Sequence, residues 1–109
     1  MPEMARVGYF SDKFEIFVET DDIGEVPHFH IKRNEFHTCI EIKTNKYFHH
    51  TGKEDVLNVH LRKELYDFLK AKDEYGEDNW IVLIKSWNRN NSNMEIDIKQ
   101  KMPDYRKIE

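Results

Sequence analysis

A chain of 109 residues fits one domain, and 39% hydrophobic with 13% aromatic residues supply more apolar material than a disordered protein carries. Charged side chains reach 35%, with 17 basic against 21 acidic for a net charge of -4, which argues against nucleic acid as a generic partner because no positive field displaces counterions from phosphates. Cys39 is the single cysteine, so an intramolecular disulfide is excluded, and no apolar run approaches the ~18 residues that span a bilayer.

The segment Met1 to Arg6 lacks the apolar stretch of a signal peptide, and together with the lone thiol this sets the expectation of a cytoplasmic protein without a membrane association. Residues 7–19 read as a hairpin. Val7 and Tyr9 begin an alternation, Ser11-Asp12-Lys13 supplies turn chemistry, and Phe14, Ile16 and Val18 alternate with Glu15 and Glu19. Phe17 interrupts the polar side, which points to partial cover of that face. Residues 20–27 form a loop containing Gly24 and ending at Pro27.

Two further strands follow. Phe29 and Ile31 alternate with His28, His30 and Lys32; Phe36, Thr38, Ile40 and Ile42 alternate with His37, Cys39 and Glu41. The link Lys32-Arg33-Asn34-Glu35 is short enough for a tight hairpin, although it lacks the Asn-Gly or Asp-Gly pair that favours one. Residues 44–57 are irregular. A helix then runs from about Asn58 to Lys72, with Leu61, Leu65, Phe68 and Leu69 on one stripe and Asn58 as the N-cap in competition with Asp55.

After Gly76, a second helix from Trp80 to about Asn88 places Trp80, Leu83, Ile84 and Trp87 on one stripe, although the run Trp80 to Ile84 is short enough to be a buried strand instead. Met94, Ile96 and Ile98 alternate with charged residues as a final strand suited to edge pairing with another chain, and residues 100–109 read as a polar, mobile tail beyond a domain spanning 1–99. The expected fold is α+β, an antiparallel sheet of four to five strands with two helices packed on one face.

From Phe14 to Trp87 the order of features resembles a group of small bacterial proteins: a strand, the acidic pair Asp21-Asp22, Pro27-His28-Phe29-His30 opening a strand, a hairpin into Ile40-Glu41-Ile42, a Leu-rich helix and Asn79-Trp80. Members of that group are often encoded in two-gene cassettes of toxin–antitoxin type. The resemblance implies a small accessory or interaction protein acting through a protein partner; the Met94 to Ile98 edge, or the polar sheet face, separately gives the expectation of a homodimer or a heterologous complex. The longer second helix, the Asn-rich link and the C-terminal strand depart from the group's short form.

The chemistry-bearing residues are histidines. If both apolar sets of the second hairpin face one core, His28, His30, His37 and Cys39 share the opposite face; pairing Ile31 with Phe36 sets His30 opposite His37 and His28 opposite Cys39. Three imidazoles and a thiol are zinc-type ligands, which gives the alternative expectation of a metal-dependent, hydrolytic enzyme with Asp22 or Glu41 as base. The same alternation also describes an ordinary solvated face that needs no ion. His49-His50 reads as loop packing and His60 as a helical surface pair with Glu64. No Gly-rich phosphate loop exists among the four glycines.

Overall fold

The structure, a computed structural model, describes residues 4–20, 24, 26–49 and 51–109. Alternation of apolar and polar side chains builds β1 (Met4–Phe10), β2 (Phe14–Glu19), β3 (His28–Arg33) and β4 (Phe36–Glu41). They form one antiparallel sheet in the order β1-β2-β3-β4. Ser11 and Lys13 take positive φ in the first turn, and Asn34 (φ 54°) does so in the second, a conformation that asparagine tolerates better than most residues.

Parity across the second hairpin is as the alternation requires, but the register differs by two residues. Arg33 pairs with Phe36, Ile31 with Thr38 and His30 with Cys39, not Ile31 with Phe36. The positive φ at Asn34 lets the chain turn on Asn34-Glu35 alone, one residue pair later than the sequence suggests. A slip of two keeps every side chain on its face, so the apolar pattern is blind to it.

Ile16, Val18, Phe29, Ile31 and Ile40 line the core face and are buried. Helices α1 (Val59–Lys70) and α2 (Asn79–Asn90) cover that face, α2 lying on β1 and β2 and α1 on β1 and α2. Asn58 is the N-cap of α1, its Oδ1 accepting from the Leu61 N–H at 2.8 Å. The run Trp80 to Ile84 is helical, and Leu83, Ile84 and Trp87 are buried on the stripe the 3.6-residue period marks out. Among the described residues, no helix is long and apolar enough to cross a membrane.

Two expectations at the C-terminus are corrected. Met94 to Ile98 is not a strand: a 3-10 turn (Ser92–Met94) is followed by irregular chain, because the Asn88 side chain donates to the Ile96 carbonyl and accepts from its N–H, holding the segment against α2. Residues 100–109 are no loose arm. Tyr105 is fully buried, and its hydroxyl donates to the Ile42 carbonyl at 2.8 Å.

Candidate metal centre

The sheet's other face is a grid. Reading across β1 to β4, one row is Tyr9, Glu15, Lys32 and His37, and the next is Arg6, Phe17, His30 and Cys39. His30 therefore stands beside Cys39 and one step diagonally from His37. Diagonal neighbours at roughly 7–8 Å between backbones are within reach of imidazole side chains.

Three ligand-type atoms converge there. His30 Nδ1 lies 2.8 Å from His37 Nε2 and 3.2 Å from Cys39 Sγ, and Cys39 Sγ lies 4.0 Å from His37 Nε2. Among the described residues this is the cluster whose histidine and thiol atoms all fall within 4.8 Å of one another. Tetrahedral coordination at the usual zinc distances separates such atoms by roughly 3.3–3.6 Å, so the observed spacings bracket what an ion requires. His37 is exposed and can rotate to close the difference, whereas His30 is held.

What holds His30 was only half visible in the sequence. Phe17, its cross-strand neighbour, stacks on the imidazole at 4.9 Å between centroids, and the residue is 9% exposed. Its other nitrogen, Nε2, lies 3.7 Å from a Glu19 carboxylate oxygen. That distance is longer than a hydrogen bond; a small approach would let Nε2–H donate to Glu19 and leave the Nδ1 lone pair facing the cluster. The interruption at Phe17 signalled the cover; nothing in the periodicity singled out Glu19.

Burial, then the neighbouring His28 and His37, push the His30 imidazole down to about 3, so it stays neutral at pH 7. Burial, with Glu19 and Asp55 adding repulsion, pushes the Cys39 thiol up to about 12. In the metal-free protein both groups are uncharged, and an ion would displace the thiol proton. Cys39 is fixed by its backbone: its N–H donates to Thr51 Oγ1 at 3.2 Å, and its carbonyl accepts from the Thr51 hydroxyl and the Phe48 N–H. The irregular segment after β4 thus covers the sheet edge beside the site.

His28 shares the face with its ring centroid 5.2 Å from that of His30, but it is not one of the three residues whose ligand atoms converge. Its ring stacks on Phe48 at 4.0 Å, and its Nδ1 lies 2.8 Å from the Val26 carbonyl. Only a proton satisfies that contact, so Nδ1–H donates to the carbonyl. Glu41, directly opposite His28, accepts from the Thr44 hydroxyl at 3.0 Å and does not join the cluster. Asp22 and His50 lie outside the described residues. His49 packs on Phe48, and His60 pairs with Glu64 at 3.8 Å as its helical spacing suggested.

No protein-family model, curated protein or solved structure matches this chain.

Proposed function

We propose that this protein binds a transition-metal ion of zinc type through His30, His37 and Cys39, with a fourth position left open toward solvent beside the exposed His37. The convergence of the three ligand atoms within 4.8 Å carries the reading. Two nitrogens and one thiolate suit a borderline-soft ion, and the Glu19 carboxylate lies 3.7 Å behind His30, close enough to support the ring once an ion is bound. An ion held by three protein ligands acts as a Lewis acid and brings a bound water to a pKa of about 7, which supports a hydrolytic role.

Cobalt titration of the full chain without a histidine tag tests this. We expect one equivalent bound with a thiolate charge-transfer band, lost in Cys39→Ala and weakened at least about tenfold in His30→Ala. Zinc at a hundredfold excess over Kd should add about 2.7 kcal/mol to stability. Because the Cys39 proton must leave, affinity should fall as pH is lowered. A wild-type protein whose melting point and spectrum ignore both metals would end the proposal.

A protein partner is a second reading, favoured by the outer edge of β1. The strand ends the sheet, and Met4 and Tyr9 on it are 52% and 49% exposed. Such an edge is a template for strand addition by another chain or a second copy. Sedimentation that finds only monomer at high concentration would remove the homodimer form.

A further inference from the structure

The row that contains His37 continues into a groove of about 740 Å³ on the same face, running over the β1–β2 and β3–β4 turns. Four of its lining residues are cations, Arg6, Lys13, Lys32 and Arg33, against one carboxylate, Glu15, in a chain whose net charge is -4. Arg6 is paired with Glu15, and Arg33 with Asp12. Lys13 and Lys32 have no ion pair among the described residues.

Lys32 is the decisive position, because it stands directly opposite His37 in the β3–β4 ladder. Directly opposed Cβ atoms lie about 4.5–5.5 Å apart, so its ammonium reaches the space in front of the exposed imidazole. At the far end of the row, Tyr9 exposes a ring with Arg6 over it at 5.1 Å from the centroid. Two uncommitted ammonium groups, backed by two arginines, complement a phosphate dianion, and an exposed ring suits an attached flat group.

Resting on the metal reading above, we infer that this groove is the subsite for a phosphate monoester, with the phosphoryl group between Lys13 and Lys32 and its oxygens facing the metal position beside His37. The chemistry is shared by sugar phosphates and mononucleotides, and Tyr9 is the residue that tells them apart.

Calorimetric titration of the zinc-loaded full chain with inorganic phosphate, ribose phosphate and adenosine monophosphate at low ionic strength decides it. We expect all three to compete for one site, with affinity falling as salt is added. Adenosine monophosphate binding about fivefold or more tighter than ribose phosphate identifies a nucleotide site, and equal affinity identifies a sugar phosphate; either supports the phosphate subsite. The Lys13→Ala/Lys32→Ala double variant should weaken all three by about tenfold or more while its zinc affinity stays within a few-fold of wild type. Absence of saturable binding by any probe, or a double variant that binds like wild type, overturns the inference. If the wild-type chain takes up no zinc, the metal reading fails, and the same titrations on the zinc-free protein still decide the groove.

Discussion

Thr38 sits between Phe36 and Ile40 on the core side of β4, fully buried, and its Oγ1 has no hydrogen-bond partner among the described residues. A stranded hydroxyl costs about 1–3 kcal/mol relative to an apolar group of the same shape. Thr38→Val keeps the β-branched outline and removes the hydroxyl, so it should stabilise the fold by about 1 kcal/mol, read as a melting-point rise of about 4–8 °C. A melting point lower than wild type would mean that the hydroxyl has a partner. His30 and Cys39 define a pH window. The buried imidazole is held down at about 3 from 6.5, so below 6.5 the unfolded chain binds a proton that the folded one refuses. Stability is therefore lost as pH falls from 6.5 toward 3. The thiol is held up at about 12 from 9.0, so the unfolded chain ionises first and stability is lost as pH rises above 9.0. With chelator present, denaturation midpoints should decline on both sides of that window, and Cys39→Ser should flatten the alkaline side alone.

At the scale of elements, β1 meets α1 where Gly8 faces the Phe68 ring. A Cβ on Gly8 would lie 2.7 Å from the Phe68 ring, beside the irregularity that shifts the β1–β2 register between Arg6 and Gly8. Gly8→Ala should cost about 1–3 kcal/mol by overpacking, and adding Phe68→Leu should recover part of it. Leu65→Ala on the buried stripe of α1 should cost about 2–5 kcal/mol, whereas Lys63→Ala on its exposed side should stay within about 0.5 kcal/mol. Denaturant titration separates these outcomes, and a large loss at Lys63 would contradict the helix phase. That phase was legible because Leu61, Leu65, Phe68 and Leu69 repeat at helical spacing. The shared face of His28, His30, His37 and Cys39 was legible for the same reason at period two. Which imidazole meets the thiol was not, since it depends on where the chain turns, and Asn34 at positive φ carries no periodic signal. The outcome exchanges partners: His30 meets Cys39 across the ladder, and His28 is left to Phe48.

The whole molecule is closed by a segment that composition hides. Residues 100–109 are mostly charged or polar, so their pattern suggests solvent, yet one ring reverses the reading. Tyr105 packs edge-on against Phe29 at 5.6 Å and near Trp80 at 6.3 Å. The surrounding chain is tied down by links between distant segments: the Tyr47 N–H donates to the Glu109 carbonyl, the Glu109 N–H to the Asn45 carbonyl, and the Arg62 side-chain Nε to the Arg106 carbonyl. Trp80 adds its indole N–H to the Gln100 carbonyl. Such side-chain and backbone ties have no period, which is why alternation and helical spacing both miss them. Truncating Tyr105 to Ala removes a buried aromatic and should cost about 3–5 kcal/mol, a large share of the 5–15 kcal/mol that a domain this size has. Tyr105→Phe keeps the ring but leaves the Ile42 carbonyl without its donor, so about 1–3 kcal/mol is expected. A chain ending at Lys99 should lose both contributions, expose Phe29 and Trp80, and melt at a lower temperature with increased binding of a hydrophobic dye. If that shortened chain melts at the wild-type temperature, the segment is an appendage after all and Tyr105 is not part of the core.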